Sequence, residues 1–399
     1  MQKLVIHNGK IITPTGIITK GTLEVVGNKI TAIYEGDAMT SNVTMIDAKG
    51  LYISPGFIDI HVHGGGGHDF MDGEVTGFLK IAELHAQYGT TAMVPTTLTG
   101  SKEDLLNILE IYDQANKVNN NGAEFLGLHL EGPYFAMSQR GAQDPKFIRD
   151  PDPSEYQEIL QRSNHIVRWS AAPELKGAME FGRYLRENKV LAAIGHTDAI
   201  YEEVVEAVEN GYSLSTHLYS GMSGVSRKNA FRYAGVIESS LLMDELDVEI
   251  IADGVHLPSP LLKLIYKVKG PHKIALITDA MRAAGCPPGE SVLGHKDHGL
   301  KVIVEDGVAK LPDRTAFAGS VATADLLVRN MIQMADVSLS DAILMMTTTP
   351  ARIMGVDHTK GSLVVGKDAD IVIFDQNIQI QQTIVGGRQV YSCSSERTG

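Results

Sequence analysis

Cysteine is nearly absent from this chain: 399 residues contain two, Cys286 and Cys393. Two cysteines cannot build a disulfide framework, so the expected setting is a reducing cytoplasm. No stretch approaches the ~20 consecutive apolar residues that cross a bilayer, and no membrane partner is expected. The N-terminal MQKLVIHNGKIITP lacks the long apolar segment of a secretory leader. Positive charge is also short. Lys and Arg number 35 against 48 Asp and Glu, a net charge of −13, which argues against nucleic acid as a partner. An anionic small molecule would need local cations, because the overall field does not attract it. What remains is an ordinary soluble composition, 43% apolar and 21% charged, in a chain long enough to bury a large core.

Both ends read as β structure. KLVIHNGKIIT, GTLEVVGNKITAIYEG and VTMIDAKGLYI lie before residue 53, and GSLVVGKDADIVIFD and IQQTIVGGRQVYS near the C-terminus. Asn-Gly, Gly-Asn and Lys-Gly turns separate the N-terminal runs. The pattern predicts a small β-sandwich domain assembled from residues 1–52 and 355–399.

Residues 53–354 alternate instead. Eight short apolar runs occupy 57–63, 90–97, 125–132, 167–174, 190–197, 213–219, 248–254 and 273–280. Helix-like stretches such as VTGFLKIAELHAQYG, KEDLLNILEIYDQANK, AIYEEVVEAVENG and PSPLLKLIYKVKG fall between them. The expected fold is α/β, a (β/α)8 TIM-like barrel. A doubly wound open sheet also alternates and is the competing architecture.

In such a barrel, functional side chains sit at the C-terminal ends of the strands. FIDIHVHGGGG places His61 and His63 on one face of the first run. Glu131 ends the third run, His196 the fifth, His217 the sixth and Asp279 the eighth, while the seventh leads to Asp253 and His256. Each has an ordinary explanation alone. A His-x-His pair arises incidentally, a lone histidine is often a satisfied core residue, and Asp279 could cap a helix. Four histidines and two carboxylates at the same end of successive strands are not scattered by chance, and imidazole with carboxylate suits zinc or iron. His129, on the Glu131 face, is either support for that site or a core polar contact. The glycines at 64–67 are expected to clear space above the histidines. Cys286, on a Gly/Pro-rich loop, reads as a loop residue.

PGFIDIHVHGGGG, GLHLEGPY, GHTDA, THLYSGM, ADGVH, ITDAM and FAGS occur in that order. Together they resemble the N-acetylglucosamine-6-phosphate deacetylase family of the amidohydrolase superfamily, over nearly the whole chain. The resemblance implies hydrolysis of the acetamide of N-acetylglucosamine 6-phosphate to glucosamine 6-phosphate and acetate, in amino-sugar catabolism. N-acetylgalactosamine 6-phosphate or another N-acyl compound is the alternative substrate. It also implies one or two divalent metal ions, zinc or iron, and a homodimer. Glu131, His196 and His217 would hold the core metal. His61 and His63 would hold a second, with Glu131 bridging. Asp279 would be both a metal-site residue and the general base. Ala142, Gln143, Ser220, Gly221, Arg232, His256, Ala318 and Gly319 would line the substrate pocket.

One segment departs from the family pattern. Members read HLYNAM or HLFNGM and then a short stretch ending His-His-Arg-Glu-Pro-Gly, whereas this chain reads HLYSGMSGVSRKNAFRYAG. Ser220 replaces an asparagine, and the paired histidines are absent. Arg232 matches the family arginine, with Arg227 and Lys228 close by in sequence.

Overall fold

All eight apolar runs become strands in the computed structural model, which describes residues 3–37 and 43–393. They are β1 (Phe57–Val62), β2 (Thr90–Thr97), β3 (Leu128–Glu131), β4 (Ile166–Ala171), β5 (Leu191–Ile194), β6 (Tyr212–Ser215), β7 (Asp247–Ile250) and β8 (Ile274–Leu276). Each pairs in parallel with its successor, from β1–β2 through β7–β8. The ring then closes without a regular ladder. Asp279 N–H donates to the His61 carbonyl (2.9 Å), and His63 N–H donates to the Ala280 carbonyl (2.8 Å). Below them, Thr278 N–H donates to Asp59 Oδ1 (3.2 Å), and the Thr278 hydroxyl bonds the other carboxylate oxygen. Closure excludes the open doubly wound sheet.

The four helical stretches fold as Val75–Ala86, Lys102–Val118, Tyr201–Glu209 and Ser259–Lys269. The second begins on a capping box: the Ser101 hydroxyl accepts from Asp104 N–H, and the Asp104 carboxylate accepts from Ser101 N–H. Ile60, Val94, Ala193, Leu214 and Ala275 pack into one cluster across the strands. A larger cluster joins strands to helices around Trp169, Phe181 and Tyr212.

The two chain ends share one mostly antiparallel sheet. Tyr52–Pro55 pairs with Ile371–Phe374, so the N-terminal strands continue directly into the C-terminal ones. Ile6, Leu23, Ile53, Ile371 and Ile384 form its core. Gly56 alone separates Pro55 from β1. The buried Lys360 ammonium bridges Glu124 and Asp370, at 2.7 Å each, and ties this sheet to the barrel.

Two excursions were not foreseen from the sequence. A four-stranded meander, Gly289–Leu293, Leu300–Glu305, Val308–Lys310 and Phe317–Ser320, follows β8. A two-stranded hairpin, Ser226–Lys228 with Phe231–Tyr233, follows β6.

The Asp59 clasp yields a stability prediction. Asp59→Ala leaves the buried Thr278 and His61 N–H groups without their acceptor, and each orphaned donor costs about 1–3 kcal/mol. Urea unfolding should show a lower midpoint; an unchanged midpoint would mean that closure does not depend on the clasp.

Candidate active site and metal centre

The six chemistry-bearing residues meet at the C-terminal mouth of the barrel. β1 carries His61, with His63 just beyond it; Glu131 ends β3; His196, His217 and Asp279 follow β5, β6 and β8. The last three have φ of 48°, 29° and 48°. This left-handed region is uncommon for side-chain-bearing residues, although His and Asp enter it more readily than branched ones. Such conformations persist only where the surroundings impose them, as they do at functional sites.

Glu131 is the hub. Its Oε1 lies 2.9 Å from His217 Nε2, 3.4 Å from His61 Nε2 and 3.5 Å from His196 Nε2. Its Oε2 lies 3.5 Å from His63 Nε2 and accepts a 2.6 Å bond from Gln143 Nε2. Asp279 Oδ1 stands 3.1 Å from His63 Nε2 and 3.5 Å from His61 Nε2. Two overlapping groups, His61–His63–Asp279 and His61–Glu131–His217, have the spacing of metal ligands.

The opposite ring nitrogens support the same reading. His61 Nδ1 faces Glu249 (3.3 Å), His63 Nδ1 the Thr96 carbonyl (3.2 Å) and His196 Nδ1 the Gln139 carbonyl (2.8 Å). Each of these three directs its Nδ1 to an acceptor outside the site and its Nε2 inward, as metal-binding histidines do. His217 Nδ1 is buried with no hydrogen-bond partner among the described residues.

Beneath the histidines lies a polar layer that the sequence reading missed. Glu249 on β7 is fully buried and paired with Arg168 of β4, which also reaches the Ile60 carbonyl and the Thr216 hydroxyl. Its signal was present: opposite charges flanked by apolar residues in two strands. His129 joins this layer, bonded to the Ser170 and Thr96 hydroxyls, its ring edge-on to His61 at 4.7 Å. Glu174 holds the loop after His196 through Thr197 and the Asp198 N–H.

The electrostatics call for positive charge at the mouth. Burial alone would raise Glu131; the His61 charge and hydrogen bonds from His196 and His217 outweigh it and hold the carboxyl well below its usual range. Asp279 is lowered in the same way, with burial overcome by His63 and His61. His63 is pushed up to about 9, burial being outweighed by Asp279 and Glu131. Burial pushes His61 down.

A cavity of about 300 Å³ opens above these groups. Ala142, Gln143, Ser220, Gly221, His256 and Gly319 line it, together with Tyr219, Leu98, Leu293 and Phe317. Asp253 fixes the His256 ring through Nδ1 at 2.7 Å. Gly221 cannot carry a side chain, since a Cβ there would stand 2.9 Å from His196 Nδ1. Two expected lining residues lie elsewhere. Ala318 alternates with Phe317 and Gly319 along its strand and turns into a small apolar core. Arg232 is exposed on the hairpin, directly across from Arg227. The glycines at 64–67 are not among the cavity-lining residues: Gly64–Gly65 pairs with His68–Asp69, and the run packs against the loop after β8. A Cβ on Gly64 would fall 2.3 Å from the His68 carbonyl, so close backbone approach explains that residue.

An eight-stranded parallel barrel with this histidine and carboxylate set at its mouth defines a barrel metallohydrolase. The chain belongs to the Amidohydrolase family, whose profile matches residues 52–390. It is 34% identical over 397 residues to an N-acetylglucosamine-6-phosphate deacetylase of Lysinibacillus sphaericus, covering 96% of this chain and 97% of that one. It is 33% identical over 385 residues to an N-acetylgalactosamine-6-phosphate deacetylase of Escherichia coli O157:H7, covering 96% and 98%. It also superposes with a TM-score of 0.89, at 28% identity, on a variant N-acetyl-D-glucosamine-6-phosphate deacetylase of Mycobacterium smegmatis in complex with N-acetyl-D-glucosamine-6-phosphate, covering 98% of this chain and 100% of that one.

The buried layer yields a two-part prediction. Arg168→Met strands the Glu249 charge and should destabilise the protein by about 3–5 kcal/mol. Adding Glu249→Leu should restore stability, while removing the His61 Nδ1 partner should weaken metal binding by about 10–100-fold. Chemical unfolding and metal titration read the two effects separately; unchanged metal affinity in the double variant would deny Glu249 its orienting role.

Proposed function

We propose that this chain is a metal-dependent deacetylase that hydrolyses N-acetylglucosamine 6-phosphate to glucosamine 6-phosphate and acetate. The carrying observation is that His61, His63, Glu131, His196, His217 and Asp279 converge at one mouth of a chain similar to such deacetylases from end to end. The donor set fits a divalent ion: imidazoles aim Nε2 inward, and two buried carboxylates stay ionised among them. Glu131, His196 and His217 would hold the core ion, with His61 and His63 for a second, and the nitrogen-rich set suits zinc or iron. When bound, such an ion supplies Lewis acidity that brings the pKa of a water toward neutrality and polarises a carbonyl.

The residues divide the remaining work. Asp279, held ionised, accepts the proton of the attacking water as its oxygen bonds to the acetamide carbon. The C–N bond then breaks, and Asp279 passes the proton to the departing amine. His256 faces the cavity and is the donor we assign to the developing oxyanion. Gln143 is committed otherwise: Thr99 N–H donates to its Oε1 (2.8 Å), which orients its Nε2 toward Glu131. The sugar lies along Tyr219, Ser220 and Gly221. Arg227, Lys228 and Arg232 on the hairpin are the cations for the phosphate. We also assign a homodimer in which this hairpin, with Phe231 72% exposed, reaches a second copy. A cytoplasmic location fits the two-cysteine composition. Among the described residues, no helix is long and apolar enough to cross a membrane.

The test is acetate release by metal-reconstituted protein. N-acetylglucosamine 6-phosphate should react fast, with the unphosphorylated sugar and the galactosamine isomer slower. No release from any of the three would sink the proposal. Asp279→Asn should lose about 10²–10⁴-fold in kcat with metal content retained; near-native turnover would remove it from the mechanism.

A further inference from the structure

A second cavity, of about 290 Å³, lies behind the catalytic one. Leu98, Ala142, Gln143 and Leu293 line both. The partition between the two spaces is therefore a single layer of side chains. Its apolar members hold together: Leu293 is 4% exposed within a cluster containing Met281 and Ala318, and Leu98 and Ala142 pack against it. Gln143 is pinned on both sides, by Thr99 and Glu131. Beyond the partition, the second space is bounded by Thr99 and Ile108 and opens to solvent past Asn107, Lys146 and His298. Thr99 Oγ1 is buried there with no hydrogen-bond partner among the described residues.

The catalytic cavity is chemically two-sided. Its polar lining comes from the metal-site residues, Tyr219, Ser220 and His256; its apolar lining comes mainly from Leu98, Leu293 and Phe317. On the deacetylase reading, the hydroxyls and phosphate of the substrate require the polar side. The acyl methyl has no hydrogen bond to make and belongs on the apolar side. We infer that Leu98 and Leu293 form a gate that stops the acyl group at two carbons, and that the chamber behind them accommodates a longer acyl chain once the gate is cut back. One added methylene in an apolar pocket changes discrimination by about 10–200-fold, so a leucine at this point is enough to exclude butanoyl. The chamber differs from an enlarged acetyl pocket because its far wall comes from the Lys102–Val118 helix, which does not line the catalytic cavity.

The experiment compares kcat/KM for N-acetyl, N-butanoyl and N-hexanoyl glucosamine 6-phosphate. Leu98→Ala and Leu293→Ala should each raise the butanoyl-to-acetyl ratio by about tenfold or more. Adding Asn107→Trp, which fills only the second chamber, should cancel the gain for hexanoyl and spare it for butanoyl. Melting curves establish that the variants are folded, and Leu98→Val and Leu293→Val serve where an alanine variant is not. Wild-type acetate release with unchanged ratios in every folded variant overturns the gate alone. A wild-type protein that releases no acetate overturns the deacetylase reading and the gate with it.

Discussion

The structure turns on one buried carboxylate. Glu131 sits where four imidazoles meet, and a charge so placed is expensive unless it is paired and hydrogen-bonded. Pairing it with histidines alone leaves the balance incomplete, because Asp279 adds a second anion 3.1 Å from His63. The charges respond to one another: the carboxyls are held low and His63 is pushed up to about 9, so a proton settles where a cation belongs. A divalent ion satisfies all these groups at once, which one proton on one imidazole does not. The site's preference for metal is thus built into its electrostatics as well as its donor atoms.

That arrangement requires rings that do not turn. Each of His61, His63 and His196 is fixed by an acceptor on its far nitrogen, and the acceptor for His61 is itself held by Arg168 from across the barrel. Strand closure serves the same end. The hydrogen bonds that join β8 to β1 run through His61, His63 and Asp279, so the elements that close the ring are those that set the ligand spacing. Fold and site share one set of bonds, and loosening either loosens both.

This sharing explains what could be read in advance. The eight strands, their parallel order and the residues at their mouth follow a local pattern, an apolar run ending in a polar residue, and they stand where that pattern puts them. Glu249 and Arg168 were harder to find because their meaning is pairwise: each is a lone charge until the barrel brings β4 and β7 into register. The meander was hidden by its own regularity. LKVIVEDGVAK carries strand alternation and an Asp-Gly turn, but expecting a barrel directs attention to helices after each strand. Ala318 shows the limit of assigning a motif to a pocket, because neighbouring residues on a strand face opposite ways. The glycines at 64–67 marked a close approach of backbones, and sequence alone does not say to what.

The two excursions from the barrel are attached in different ways, and this bears on how specificity can vary. The meander is bonded to the backbone of Asp279 itself: Ser320 N–H donates to the Asp279 carbonyl (2.8 Å), and Met281 N–H to the Ser320 carbonyl (2.9 Å). It also supplies Leu293 and Phe317 to the cavity wall. A change in its backbone would move Asp279, so this side of the pocket is tied to the geometry of the barrel mouth. The hairpin at 226–233 is tethered at its base, through the Ala234 carbonyl and the bridge between Ile200 and Gly235, and its tip is exposed. Among the described residues, no hydrogen bond or ion pair links that tip to His61, His63, Glu131, His196, His217 or Asp279. Groups without shared partners vary independently, so Arg227, Lys228 and Arg232 can be rearranged there without disturbing the residues at the barrel mouth. The segment that departs from the family pattern takes in this hairpin and also Ser220 in the cavity wall, while His61, His63, Glu131, His196, His217 and Asp279 stand at the strand ends where the resemblance expects them.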